Sequence, residues 1–385
     1  MTVIPCPLFG KSGDSINELQ LVEAISRRVE RIIVFALTDV REFKMRNNLL
    51  SNVVLVKLPI IRYMGTFLTF FFSLIVLIIG YFLEKFYKFD LIYIRDTKLA
   101  WALMLSKKLR QKSVVKIPSF FEDEVIISSS TTLKILKKIF SLIDFLVLSK
   151  CKKIAVHSPL WIEALAKRRK IYRRNDYLVI PAGVNLRKIK NILRYKDESV
   201  EEIKPGSFRV GFLGTLYWWQ GVEILVKAVS MLKNKDIELI IVGDGALRQQ
   251  IEMLAKKLGV NITITGYVPH EVALKYLLTF DVLVLPRKRI GTTELNIPIK
   301  VVEAWALGIP IITTKHKVFL KYGIRDLKDI IYCEPDPLSV ANAISILLSN
   351  PILRNRLKIN GFRIATLFDY DRIAKNLLRV VRNNI

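Results

Sequence analysis

Short apolar runs rich in β-branched residues recur along this chain, and a helical pattern follows each of them. The first series is "RIIVFAL", "NVVLVKL", "FDLIYI", "SVVKI", "KIAVHS" and "YLVIPAG", ending near residue 183. The polar stretch 185–206 interrupts it once, and the rhythm restarts with "FRVGFLG", "IELIIVGDG", "NITITGY", "DVLVLP", "IPIITT" and "DIIYCE". Near-continuous apolar strands alternating with helices predict parallel sheets covered on both faces. Two such series predict two doubly wound domains of similar size, and 385 residues are enough for two cores. We place the domains at residues 1–190 and 191–365. A final helix, 366–385, has no strand after it and is expected to pack back across the junction.

One segment strains the rhythm. "MGTFLTFFFSLIVLIIGYFL", 64–83, carries no charge, and at 1.5 Å per residue such a helix spans about 30 Å, the thickness of a bilayer core. It lies between the strands "NVVLVKLPI" and "FDLIYIRD", where a crossover helix belongs if both strands share one sheet. A spanning helix would put those strands on opposite sides of the membrane. The expectation is a crossover helix that dips into one leaflet, with a buried or subunit-facing helix and a true span as alternatives.

The charge balance bears on partners. The formal net charge is +27, which suits nucleic acid, anionic head groups or phosphorylated substrates. Basic residues interleave with aliphatic ones, as in "LKILKKIF" and "LSKCKKIAV", so an anionic membrane surface is expected and nucleic acid is not. Cys6, Cys151 and Cys333 lie far apart and match neither a metal site nor a disulfide framework, as in a reducing compartment. The first residues lack the apolar core of a secretory signal.

Several glycine turns sit where ligands of doubly wound sheets bind, at the carboxyl ends of strands. "FGKSGDS", 9–15, fails as a P-loop because Pro5 stands where its first glycine belongs, but the amides up to Gly13 suit a phosphate or sugar. Gly243-Asp244-Gly245 lacks the third glycine of a dinucleotide fingerprint, Arg248 standing in its place. Gly214 allows close backbone approach, and Tyr217, Trp218 and Trp219 are candidates to wall a pocket or to cap the core.

"NIPIKVVEAWALGIPIITT", 296–314, reads as loop, helix, tight turn and strand. Pro298 suits the first helical position. Lys300 then falls in the first turn, where the helix dipole disfavours a cation by about 0.3–1 kcal/mol. Glu303 follows three residues on, so a surface ion pair is one reading. The other is an anion held between Lys300 and the helix N-terminus, with Glu303 accepting hydroxyls. Arg287, Lys288 and Arg289 just upstream add charge, and several basic groups converging on one helix end imply a diphosphate.

Taken in order, these segments resemble family 4 retaining glycosyltransferases of the GT-B fold. The likeness runs through "RVGFLGTLYWWQGVEILVKAV", "LIIVGDGALRQQIEMLAKKLG", "ITGYVPHEVALKYLLTFDVLVLP", "PIKVVEAWALGIPIITT" and "EPDPLSVANAISILLSNPILRNRL", to "FDYDRIAKNLLRVV". The first domain matches more loosely, in "FDLIYIRD", "KIAVHSPLWIEAL" and "VIPAGVN". The resemblance implies two Rossmann-like domains facing across a cleft, with a last helix crossing back to the first. It implies transfer of a hexose-type sugar from a UDP- or GDP-sugar with retention, without an obligatory metal or other cofactor. The donor would bind mainly to the second domain, and a lipid-linked or glycan acceptor mainly to the first, on the cytosolic face of the membrane.

By the motif match, Glu303 resembles the glutamate that holds the nucleotide ribose, and Lys300 a lysine on phosphate; both are candidate catalytic residues. The donor set implied is Gly13, Gly214, Thr215, Gln220, Gly243, Gly245, Arg287, Glu294, Pro298, Ile299, Lys300 and Glu303. The family's partner glutamate would fall at Leu295, so Glu294 is one place off, and Thr215 and Gln220 stand where an arginine and a lysine are usual. Lys300 and the Arg287–Arg289 loop are the candidates to replace that charge. In the first domain a histidine often follows the "SVVKI"-type strand, where this chain has "PSFFEDE". Glu122 and Asp123 are therefore candidates to touch sugar or acceptor, and Glu122 is taken as catalytic; His157 is read as structural. A silent sugar-nucleotide-binding subunit and a GT-B nucleotide-sugar epimerase are the alternatives.

Overall fold

The computed structural model describes residues 2–7, 13–38, 51–59, 65–120, 131–172, 176–194, 207–232 and 236–382. The chain forms two units, one of residues 1–181 with 370–385, the other of residues 182–369.

In the first unit seven strands form one parallel sheet. They are β1 (Thr2–Pro7), β2 (Ile32–Thr38), β3 (Val53–Pro59), β4 (Ile92–Arg95), β5 (Ser113–Lys116), β6 (Lys153–Val156) and β7 (Tyr177–Val179). Their order is β3-β2-β1-β4-β5-β6-β7. Parallel neighbours need long crossovers, and helices supply them. Leu21, Val22 and Ile25 of helix Gly13–Ser26 pack with Tyr93, Val114 and Ala155 of the central strands. Ile373, Ala374 and Leu377 of helix Tyr370–Arg382 complete that core, each large side chain contributing about 1.5–3 kcal/mol by burial.

Helix Gly65–Tyr87 joins β3 to β4, two strands of that one sheet. Phe72, Ser73, Val76 and Glu84 form its buried face. Ser73 Oγ donates to the Leu99 carbonyl at 2.8 Å and accepts from the Ala102 amide at 3.1 Å. Glu84 accepts from Lys112 Nζ and the Phe89 amide, both at 2.8 Å. The opposite face, with Ile75, Ile78, Tyr81, Phe82 and Phe86, is exposed. Among the described residues no helix is long and apolar enough to cross a membrane.

The second unit holds a six-stranded parallel sheet of β8 (Phe208–Leu213), β9 (Ile237–Val242), β10 (Ile262–Ile264), β11 (Val282–Leu285), β12 (Ile311–Thr314) and β13 (Ile331–Cys333). The order β10-β9-β8-β11-β12-β13 reverses direction between β8 and β11, the switch point where such sheets bind ligands.

The division between units falls at Pro181/Ala182, not at residue 190. Helix Leu186–Arg194 buries Ile189 and packs on helix Ile299–Leu307 of the second unit, so the polar composition of 185–206 misplaces the edge. At the other end, Phe368 stacks on Trp305 with centroids 6.2 Å apart. That contact keeps residues 366–369 in the second unit.

Candidate donor site

Gly214 follows the end of β8 and Gly243 that of β9, with φ of +141° and +144°, a region L side chains avoid. A Cβ on Gly243 would stand 2.0 Å from the Gly214 carbonyl oxygen, and one on Gly214 would stand 2.0 Å from Lys300 Nζ. The two turns are therefore bare so that backbone and one ammonium group can crowd the end of β8. Gly245 continues the second turn, its Cα facing the backbone of Leu216.

Helix Ile299–Leu307 begins beside this point. Pro298 is the residue before the helix, one place earlier than its composition suggests, and no side chain caps the helix there. Ile299 and Lys300 thus present first-turn amides without a side-chain acceptor. Lys300 Nζ lies 5.1 Å from the Phe212 ring centroid and is buried with no hydrogen-bond partner. Nε of Arg287, just past the end of β11, is likewise buried and unpartnered. Burial, with the nearby Arg287 charge and against that of Glu303, pushes the Lys300 pKa down to about 7. Burial alone brings Arg287 to about 10.

The carboxylates are engaged elsewhere. Glu303 is 2% exposed and its Oε1 lies 2.7 Å from His270 Nε2. The surface ion pair with Lys300 does not form, because residues 301–307 are all buried and Glu303 faces helix His270–Leu278. Glu294 accepts from His316 Nδ1 at 3.1 Å and from the Lys317 amide at 2.9 Å. It thereby caps helix Lys317–Lys321. Burial raises the Glu294 pKa, but the bonds from His316 and Lys317 outweigh it and leave it below the ordinary value. Burial dominates at His316 and lowers its pKa, so the neutral ring donates at Nδ1 and leaves Nε2 buried without a partner. Burial also presses His270 toward neutrality, yet the charge and hydrogen bond of Glu303 raise its pKa.

Gln220 is buried in the turn Trp218–Gln220, and its Oε1 lacks a partner. Thr215 is exposed. Tyr217 stacks on Trp219 at 4.8 Å. The expected convergence of three basic residues does not occur. Lys288 pairs with Glu223 at 3.0 Å and covers Trp218, and Arg289 pairs with Glu334 at 2.8 Å. Those two carboxylates draw the side chains away, and of the three only Arg287 keeps a buried, unpartnered nitrogen, its Nε.

Gly13 opens the first helix of the first unit, while the turn before it lies outside the described residues. Glu122 and Asp123 also lie outside them. His157 is half-buried, and desolvation of its ring together with Lys116 and Arg95 holds its pKa well below the ordinary histidine value. Sequence reasoning missed His270 and His316. Their signal was scarcity, for the chain has three histidines, and these two fall at the starts of helices in the second unit.

The profile of the family Glycosyl transferases group 1 matches residues 194–363, most of the second unit. An uncharacterized glycosyltransferase of Methanocaldococcus jannaschii is 25% identical over 175 residues, 44% of this chain and 44% of its own length. The chain thus matches less than half the length of that relative. Sucrose-phosphate synthase of Thermosynechococcus elongatus superposes with a TM-score of 0.74 at 19% identity, covering 100% of this chain and 98% of its own. Anabaena Alr3699/HepE, solved in complex with UDP-glucose, gives 0.72 at 16% identity over 99% of both chains. At these identities the likeness speaks for the fold. Residues 194–363 therefore match the family Glycosyl transferases group 1, and the two units have the GT-B fold.

Proposed function

We propose that this protein is a retaining glycosyltransferase that moves a hexose-type sugar from a UDP- or GDP-sugar to a membrane-linked acceptor, a lipid-linked glycan or glycolipid. The observation that carries the reading is the pair of buried, unpartnered cationic groups, Lys300 Nζ and Arg287 Nε, beside an uncapped helix N-terminus at the sheet's switch point. Buried charge without a counter-ion is costly, and a diphosphate supplies both the charge and the acceptors. UDP-glucose bound to a protein of the same fold supports a nucleotide-sugar as that ligand.

In this reading the acceptor hydroxyl attacks the anomeric carbon on the face from which the diphosphate departs. The carbon–oxygen bond to phosphate breaks as the new glycosidic bond forms, and the hydroxyl proton passes to the departing phosphate oxygen. Lys300, Arg287 and the first-turn amides stabilise the charge that grows on the leaving group. No covalent nucleophile is required, and these cations take the place of a metal ion. Glu303 accepts hydrogen bonds from the nucleotide ribose.

The acceptor side rests on the first unit. The exposed face of helix Gly65–Tyr87 and that of helix Thr131–Lys150, with Ile139, Leu142 and Phe145, are apolar. Leu77, Ile78, Tyr81, Phe82, Leu105 and Ser106 line a groove of about 430 Å³. Lys85 lies over the Tyr81 and Phe82 rings at 5.5 and 6.0 Å, and exposed Lys107 and Lys108 follow the groove in sequence. Apolar surface with adjacent cations suits one leaflet of an anionic membrane, in peripheral contact on the cytosolic face.

Transfer of radiolabel from a panel of UDP- and GDP-sugars into lipid extracts tests the activity, with Lys300→Ala as the inactive control. Release of a soluble sugar with no labelled lipid would point to an epimerase instead. Sedimentation with anionic vesicles tests the surface, and an Ile78→Ser/Phe82→Ser/Phe86→Ser variant should stay in the supernatant.

A further inference from the structure

Glu303 is a carboxylate in a place that does not suit one. Its side chain is 3% exposed, and every residue from 301 to 307 on its helix is buried. A buried carboxylate must accept strong hydrogen bonds or give up its charge. Lys300 stands one turn earlier on the same helix, yet among the described residues it makes no ion pair with Glu303. What meets the carboxylate is His270 Nε2, 2.7 Å from Oε1.

His270 is built for that contact. It is the first residue of helix His270–Leu278, and Pro269 before it turns the chain at φ −56°, ψ 149°. Its side chain is 26% exposed, so the ring runs from the surface inward to Glu303. The charged groups that act on the ring are Glu303 on helix Ile299–Leu307, Lys188 on helix Leu186–Arg194 and Glu271 on its own helix. Glu303 holds the ring's pKa above the ordinary histidine value despite burial. A ring that occupies one carboxylate oxygen also fixes the plane of the other, the oxygen left for a ligand.

We propose that His270 is a positioning residue of the donor site, whose Nε2–H orients the Glu303 carboxylate toward the vicinal hydroxyls of the donor nucleoside. The proposal rests on the donor-site reading given above. It concerns the ribose end of the donor, whereas Lys300 and Arg287 concern the phosphates, and the two ends can be measured apart.

The probes are UDP and GDP and their 2′,3′-dideoxy counterparts, titrated calorimetrically into the full-length protein. The wild type should prefer the ribose form of its nucleotide about tenfold, as a hydrogen bond to a charged group warrants. His270→Ala should erase that preference by weakening the ribose form and leaving the dideoxy form as it was. His270→Gln, which keeps an N–H donor, should recover most of it. Lys300→Met should weaken both forms alike and preserve the ratio. Melting temperatures of each variant show whether the fold survives. If His270→Ala keeps the tenfold ratio, or loses both forms equally, His270 does not position Glu303. A wild type that binds a nucleotide without regard to ribose overturns the proposal alone. A wild type that binds neither UDP nor GDP overturns the donor-site reading and this proposal with it.

Discussion

The two sheets share one strand order around their central crossovers, yet they treat buried cations in opposite ways. In the first unit Arg95 ends β4 and Lys116 ends β5, and both lie against Glu18 of the first helix, at 3.2 and 3.3 Å. The Tyr93 hydroxyl adds a bond to the same carboxylate at 3.3 Å, and Glu18 is 1% exposed. In the second unit Arg287 and Lys300 have no such carboxylate among the described residues. The two nearest in sequence, Glu294 and Glu303, are bound to His316 and His270. One set of cations is neutralised by the chain itself, and the other has no counter-charge among the described residues. A buried charge is thus a guide to a binding site only when its partner is missing.

That contrast can be broken most sharply at Glu18. Glu18→Gln strands two buried cations and should cost about 3–5 kcal/mol in urea denaturation; a loss below about 1 kcal/mol would mean that the cluster is not held by charge. The mirror experiment is Lys300→Met. Removing an unpaired buried charge should leave stability unchanged or slightly raised, while nucleoside diphosphate affinity falls roughly 10- to 100-fold, the worth of hydrogen bonds to a charged group. Gly214→Ala sets a methyl against Lys300 Nζ at a φ of +141°, and should lose about 1–3 kcal/mol of stability together with donor binding.

Titration sharpens the same point. Lys300 has a folded pKa of about 7 against 10.5 for the free side chain, so between those values the unfolded chain holds more protons. Stability of the unliganded protein should therefore rise with pH over that window, and Lys300→Met should flatten the slope. A bound diphosphate favours the charged amine, so binding at pH 8 should take up about one proton, read from enthalpies in buffers of different ionisation heat. The smallest effect is expected at Arg289. Its exposed pair with Glu334 is worth at most about 1 kcal/mol, and Arg289→Ala should leave donor affinity unchanged. A large loss there would restore the three-residue cluster that the sequence suggests.

Local features were readable from residues alone. The alternation of apolar strands and helices set both sheets, because its physical cause is burial on two faces. Helix Gly65–Tyr87 was readable as a crossover because its flanking strands had to share a sheet. Lys300 stood out because a cation in a first helical turn contradicts the dipole. What escaped is pairing between side chains distant in sequence: Glu303 with His270, Glu294 with His316, Lys288 with Glu223, and Arg289 with Glu334. No periodicity encodes which carboxylate a given side chain will meet. The unit boundary escaped for a related reason, since helix Leu186–Arg194 is polar in composition and buries one residue, Ile189, in its unit.

The assignment of helix Tyr370–Arg382 to the first unit has a consequence for how the protein is made. Residues 182–369 are an uninterrupted stretch, whereas the first unit is completed only by residues that leave the ribosome after them. The parallel bridge between Val184 and Asp369 ties the entry and exit of that stretch together. The second unit can therefore finish folding while the first still exposes the seat for Ile373, Ala374 and Leu377. During synthesis the half bearing the unpaired lysine has all its residues first, whereas the core of the half bearing the apolar helices lacks Ile373, Ala374 and Leu377 until the end.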